Sequence, residues 1–336
     1  MAAPRLFPTH SAGREPARYY SLARYALLDA LRLSGVGQGR RVLLPSFICR
    51  DLLAPIAMLG ATPCWYEVTA GLTAAGSPDT WPEADAVLAV NYFGFPQDLS
   101  PFVDYATRTG AGIVEDNAHG YLSRDAKGRW LGTRAPLGLF SLRKTLRIPD
   151  GAALLVNDDA LLTGLPEQLP FDGSGVNPAQ ALKASMRRIP LIGSGLLRIA
   201  TLLARAVRKR KTGNEIPFSD PLSETQIPSS PNPWAGLGKA LTDCDGDAEI
   251  ARRREAYSRC ALEGERCGVA PVFSALPDYC APYGYPFRSS LSGRAAMQRL
   301  ADRMGFDLVT WPDLPGAVRT KAPEYYHNVH LINFLW

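Results

Sequence analysis

The first half of the chain predicts an α/β fold, a mostly parallel sheet flanked by helices. Three observations carry that prediction. Short apolar runs, each the length of one buried strand, alternate with segments of helical periodicity. Turn-forming and polar residues gather just after several of these runs, where open α/β sheets place their ligands. A chain of 336 residues is also long enough to bury a sizeable core and enclose a deep pocket.

Taken in order, Ser21 to Leu31 reads as a helix, with Ser21 at the N-cap position and Gly35 after the last turn. Arg41 to Pro45 is a short buried strand. Ala54 to Leu59 reads as a helix and Thr62 to Val68 as a strand. Asp85 to Val90 is a strand that runs into the turn-rich Asn91-Tyr92-Phe93-Gly94-Phe95-Pro96. Phe102 to Thr109 is a helix, and Gly112 to Glu115 a strand ending in acidic residues. Leu137 to Ser141 and Ala152 to Val156 are two more strands. The strand carboxyl ends would then hold Pro45-Ser46-Phe47, Asn91-Tyr92, Asp116 and Lys144.

After Asp159 the alternation stops. Residues 164–180 read as loop, and Leu191 to Lys211 as a basic helix. Its apolar stripe of Leu191, Ile192, Leu196, Ile199, Leu202, Leu203 and Val207 is expected to pack on the protein rather than on a membrane surface. Pro217 to Pro233 is rich in Pro and Ser and reads as an extended linker. A second unit follows, with helices at Ala248 to Glu263 and Gly293 to Met304 and a strand at Phe306 to Thr310. The expected division is a large domain over 1–235 and a smaller C-terminal α+β domain over 236–336, in keeping with about 100–200 residues per domain.

Apolar residues make up 46% and charged residues 21%, the balance of a soluble globular protein. The net charge of +5 suits an anionic small molecule and is too diffuse for nucleic acid. The first residues carry no signal-type apolar run, and no stretch approaches a bilayer span, so a cytoplasmic location is expected. The six cysteines (Cys49, Cys64, Cys244, Cys260, Cys267 and Cys280) form no CxxC pair and read as mostly buried free thiols. His327 and His330 have no cysteine or carboxylate cluster beside them, so no metal site is expected. Gly35-Val36-Gly37-Gln38-Gly39 opens no helix and reads as a turn, not a nucleotide loop.

Three segments carry candidate chemistry. Ile113-Val114-Glu115-Asp116-Asn117-Ala118-His119 delivers an acidic pair to a strand end. Asp116 could sit at a strand-end turn and cap the next helix, or it could pair with the protonated ring nitrogen of a pyridine cofactor such as pyridoxal phosphate (PLP). Phe140-Ser141-Leu142-Arg143-Lys144 follows another strand. A lone lysine there is usually a solvated surface residue; the sharper alternative makes it the amine that joins a cofactor aldehyde, with Ser141 binding the phosphate. The first turn of the Ser21 helix offers the amides of Ala23, Arg24 and Tyr25 as a phosphate site, as almost every helix start does.

The order and framing of these segments resemble one family, the DegT-type nucleotide-sugar aminotransferases, which are fold type I PLP-dependent enzymes. Residues from about 18 to 158 resemble its large domain. Val42-Leu43-Leu44-Pro45-Ser46-Phe47 is similar to its strand ending in Pro-Ser-Phe, and Gly60-Ala61-Thr62-Pro63 to its Gly-Ala-x-Pro. Val90-Asn91-Tyr92-Phe93-Gly94 resembles its Val-His-x-x-Gly. Glu115-Asp116-Asn117-Ala118-His119 resembles its Glu-Asp-x-Ala-Gln/His, and Phe140-Ser141, Lys144 and Asp150-Gly151 its lysine segment. The resemblance implies that Asp116 pairs with the cofactor ring nitrogen and His119 with its hydroxyl. It makes Lys144 the cofactor-linked lysine and general acid/base, with Ser141 and the amides near Arg24 on the phosphate. It also implies a homodimer, glutamate as amino donor and a keto-sugar on a nucleotide as acceptor.

The sequence departs from that pattern in three places. Fewer residues separate Ser141 from Lys144 than the family usually has. Cys49 stands near the place where the family stacks an aromatic ring on the cofactor. The Gly-x-Asn-Tyr-Arg segment that reaches the partner's site is not recognisable near Pro231-Asn232-Pro233-Trp234. Two rivals remain at this level: a PLP enzyme of another reaction type, such as a sugar dehydratase, and a non-catalytic protein that keeps the fold. The dehydratase variant of the family has histidine where this chain has Lys144.

Overall fold

A computed structural model describes residues 6, 16–146, 148–173, 220–228 and 230–335. The basic helix expected over Leu191 to Lys211 lies outside the described residues. Two sheets organise the rest. The large one has seven strands in the order β1-β7-β6-β5-β4-β2-β3. They are β1 (Ala17–Tyr20), β2 (Arg41–Pro45), β3 (Thr62–Tyr66), β4 (Ala86–Val90), β5 (Gly112–Asp116), β6 (Leu137–Phe140) and β7 (Ala152–Val156). Strands β2 to β6 run parallel; β7 is antiparallel to β6, and β1 to β7. The sheet is therefore mixed α/β with a parallel centre, as expected, plus an antiparallel edge.

Strand β4 shows why these runs become central strands. Its alternate side chains point to opposite faces. Ala86 and Leu88 pack in the core under α1 (Ala23–Leu33) and α2 (Leu53–Met58), while Val87 and Ala89 join the core of the other face. Both faces are covered, so a strand apolar at every position is the stable solution. Burying Val87 and Leu88 contributes roughly 1.5–3 kcal/mol each. The second face is covered by α3 (Ser100–Thr109) and by the C-terminal elements. Helix α3 stops at Gly110, whose φ of 76° is the left-handed conformation glycine adopts without penalty.

The C-terminal elements are α4 (Leu237–Thr242), α5 (Gly246–Arg266), α6 (Leu291–Met304), α7 (Gly316–Arg319), α8 (Glu324–His327) and a four-stranded antiparallel sheet. That sheet is ordered β10-β11-β9-β8, with β8 Ala270–Pro271, β9 Gly284–Arg288, β10 Asp307–Thr310 and β11 His330–Asn333. Its Tyr285, Phe287 and Ile332 share one apolar core with Leu43, Val87 and Phe93 of the large sheet region. All six cysteines are unpaired, with Cys64, Cys260 and Cys280 buried. No helix among the described residues is long and apolar enough to cross a membrane.

Several local expectations change. Ser21 is not the helix cap. Leu22 holds that position in extended conformation, without a side-chain cap, and α1 starts at Ala23. The Ser21 hydroxyl instead donates to the Ser230 carbonyl at 2.5 Å, and its amide to the Pro231 carbonyl at 2.9 Å. Those bonds also correct the extended linker: its end is tied down beside β1, and Glu224 pairs with Arg50 at 2.8 Å. Strand β1 itself was not expected, because Ala17-Arg18-Tyr19-Tyr20 is short and carries no apolar alternation.

At the end of β5, period-two alternation sends Glu115 and Asp116 to opposite faces. Glu115 is fully buried and meets the guanidinium of Arg134 at 2.6 Å. Asn91 donates to the same carboxylate at 2.9 Å, and Arg134 also reaches the carbonyl of Gln97 and the amide oxygen of Asn91. Breaking such a pair leaves an uncompensated buried charge. Arg134→Met should therefore lower the unfolding free energy by about 3–5 kcal/mol, read from denaturant melts. A loss below about 1 kcal/mol would show that water reaches Glu115.

Candidate active site

The carboxyl ends of β4, β5 and β6 open into a cavity of about 330 Å³. Its walls include the first turn of α1, Cys49 and Asp51 after β2, Asn91 after β4, and Asp116 and His119 after β5. Ser141, Arg143 and Lys144 follow β6, and Tyr283 and Trp311 arrive from the C-terminal elements.

Lys144 ends a single 3-10 turn, Leu142–Lys144, that follows β6 directly. The turn is held by bonds from the Lys144 amide to the Ser141 carbonyl (3.0 Å) and from the Arg143 amide to the Gly151 carbonyl (3.2 Å). It aims Nζ at Nε2 of His119, 3.0 Å away. Burial pushes the Lys144 ammonium below the usual lysine range, with Arg143 adding to the push and the Asp116 and Asp51 carboxylates opposing it. Burial also drives His119 well below the usual histidine range, helped by the positive charges of Lys144 and Arg253.

The His119 ring is fixed from four sides. Phe93 and Tyr283 stack on its faces, with centroids at 5.5 and 4.4 Å and interplanar angles of 7° and 3°. Trp311 meets it edge-on at 5.4 Å. The Phe93 amide points at Nδ1 from 3.4 Å. An imidazole that accepts at Nδ1 carries its proton on Nε2, facing Lys144. Phe93 offers that amide from a left-handed backbone (φ 54°), a conformation that costs a non-glycine residue about 1–3 kcal/mol.

Asp116 is buried on the α1 side. Burial raises its carboxyl above the usual range, while the Ala118 amide and Lys144 oppose the rise. One oxygen accepts from Ala118 at 2.9 Å, so Asp116 does stabilise a turn, though no helix follows. Ser141 is buried, and its hydroxyl has no partner among the described residues. The uncapped start of α1 presents Ala23 and Arg24 to the same cavity. Arg143 lines it too, and its buried Nε has no partner. A buried amine, a carboxylate, an unpartnered hydroxyl and uncapped amides thus share one cavity. That donor set fits PLP: an amine for its aldehyde, an anion for its ring nitrogen, and donors for its phosphate.

The structure brings together Lys144, Asp116, His119, Ser141, Ala23, Arg24 and Cys49. Tyr25 stands apart: it is not in the cavity wall, and its amide already donates to the Leu22 carbonyl at 3.0 Å. Cys49 lines the cavity as a thiol pushed up to about 12 by burial, hence neutral near pH 7. Sequence reasoning missed Arg143, Tyr283 and Trp311 as cavity residues. Arg143 could have been found from its place beside Lys144, whereas Cys280-Ala281-Pro282-Tyr283 carries no local signal.

Comparison with known proteins gives a consistent picture. Residues 20–189 match the model of the DegT/DnrJ/EryC1/StrS aminotransferase family. Among solved structures, the sugar aminotransferase CalS13 from Micromonospora echinospora is similar at a TM-score of 0.60 and 18% identity, covering 96% of this chain and 83% of that one. DesV from S. venezuelae gives 0.60 and 20%, covering 94% and 79%. The GDP-4-keto-6-deoxymannose-3-dehydratase ColD gives 0.56 and 13%, covering 94% and 83%. At these identities the likeness shows the fold.

The depressed affinity of Lys144 for protons has a signed consequence. Only the neutral amine attacks a carbonyl, and a lowered pKa moves the neutral fraction to lower pH. Reductive methylation of the cofactor-free protein, followed by peptide mapping, should reach half its limiting rate at Lys144 below the ~10.4 of a solvated lysine. A midpoint at or above that value would contradict the buried amine.

Proposed function

Since the chain belongs to the DegT/DnrJ/EryC1/StrS aminotransferase family, and is thereby a PLP-dependent aminotransferase, we propose that it moves an amino group from glutamate to a keto-sugar carried on a nucleotide. The observation that carries the proposal is the 3.0 Å approach of Lys144 Nζ to His119 Nε2 in the cavity that also holds Asp116. The sugar acceptor is supported by solved relatives described as sugar aminotransferases.

When bound, PLP supplies a carbonyl carbon for amine exchange and a ring that draws in electrons. The chain's own groups do the rest. Asp116, anionic in the working state, would face the ring nitrogen and hold a proton there. Ser141 and the first amides of α1 would donate to the phosphate, with the cations of Arg24 and Arg143 on the same cavity wall. Lys144 would move a proton with Nζ. Its lowered pKa brings it nearer to the operating pH, where a general base is most effective. His119 offers its Nε2 proton to the cofactor hydroxyl or to Lys144. Tyr283 and Trp311 line the same cavity and would help to exclude water. In this proposal the large unit, 1–235, holds the cofactor, the unit 236–336 covers it, and two copies form a homodimer.

Borohydride reduction of the holoprotein followed by peptide mapping should place the cofactor on Lys144, and Lys144→Ala should lose it. A label on Lys183 or Lys239 would refute the assignment. Lys144→Ala should also lower turnover by about 10²–10⁴-fold, the range of general acid–base catalysis. Asp116→Asn should fold and melt near wild type yet nearly lose turnover, because a neutral amide cannot keep the ring nitrogen protonated. Unchanged turnover in that variant would remove Asp116 from the mechanism.

A further inference from the structure

Helix α5 carries three consecutive arginines, and successive side chains on a helix point about 100° apart. Arg252 turns toward Glu249 and the Phe334 carbonyl (3.0 Å). Arg254 turns toward the carbonyls of Pro277 and Cys280. Arg253 points inward and is completely buried, the largest fully buried side chain among the described residues.

A buried guanidinium is costly unless every donor finds a partner. Arg253 places four of its five N–H donors, on three different segments. Nε donates to Glu249 at 2.7 Å. Nη2 donates to the carbonyls of Lys144 (3.1 Å) and Thr145 (3.4 Å). Nη1 reaches the carbonyl of Pro282 at 3.4 Å. The first pair of carbonyls closes the lysine turn. The last belongs to the residue just before Tyr283, whose ring stacks on His119. Tyr283 in turn donates its amide to the Phe93 carbonyl at 2.8 Å, and Phe93 points its own amide at His119.

We propose that Arg253 is the positioning residue of the active site: one guanidinium from the C-terminal helix holds the lysine turn and the Tyr283 wall in register, and so fixes Lys144 Nζ against His119. An apolar side chain could fill the same volume, but it could not bond carbonyls of two chain segments at once. A lysine keeps the charge, yet its single nitrogen cannot reproduce a planar fork that spans both walls. The inference rests on Lys144 being the cofactor-linked amine.

The test compares three proteins: wild type, Arg253→Lys and Arg252→Met. Arg252 shares Glu249 and lies on the same helix, but touches neither wall of the cavity. Two readouts are used: the rate at which the cofactor-free protein gains the visible absorbance of lysine-bound PLP, and hydrogen exchange of the cofactor-free protein. In Arg253→Lys the rate should fall by about 10²-fold, the scale of a misplacement near 1 Å. Exchange should rise in residues 142–146 and 281–284 and stay unchanged in β2 and β4. Arg252→Met should match wild type within about 3-fold in rate, as a change remote from the lysine turn should. An unchanged rate in Arg253→Lys, or an equal loss in Arg252→Met, overturns the proposal. If Arg253→Lys fails to fold, Glu249→Gln/Arg253→Met removes both charges of the pair and is held to the same two readouts. Failure of the underlying assignment looks different: the wild type itself would then gain no lysine-linked absorbance.

Discussion

Two basic groups that cannot both be charged stand 3.0 Å apart in a buried cavity, and much of this structure serves that contact. Lys144 and His119 both lose affinity for protons because burial removes their water. The pair is most stable with the imidazole neutral and its Nε2 proton toward the amine. Such an amine gives up its proton more readily than a solvated lysine. The aromatic faces of Phe93 and Tyr283, and the edge of Trp311, keep the imidazole in place without offering a competing hydrogen bond.

The same economy appears at the end of β5. Two adjacent carboxylates meet different fates because a strand alternates its faces. Glu115 is paired with the Arg134 guanidinium and accepts from Asn91, which leaves it no freedom for chemistry. Asp116 emerges on the cavity side with one oxygen engaged by Ala118. The buried pair on one face anchors the strand end that presents the cavity-facing carboxylate on the other.

The central strands were legible because both faces of the sheet are covered, so β2, β4, β5, β6 and β7 read as continuous apolar runs. Lys144, Asp116, His119 and Ser141 were legible because each sits within a few residues of such a strand's carboxyl end. What lay beyond local pattern was not. Strand β1 forms only because β7 offers it an edge. Ser21 fits a cap by residue type, but the nearby carbonyls of Ser230 and Pro231 compete for it and win. Tyr25 was one residue too far into α1, where its amide is already used. Tyr283, Trp311 and Arg253 reach the site through the fold of the C-terminal elements, more than a hundred residues after Lys144, and no spacing in the sequence announces them.

The central claim is that this cavity exchanges amino groups through Lys144. The most direct measurement is an absorption titration of the holoprotein with amino donors, glutamate first. The account predicts that the visible absorbance of the lysine-bound cofactor is lost as donor is added, with one equivalent of keto acid released per site, and returns when a keto acid is supplied. Absorbance that no amino donor alters would contradict it.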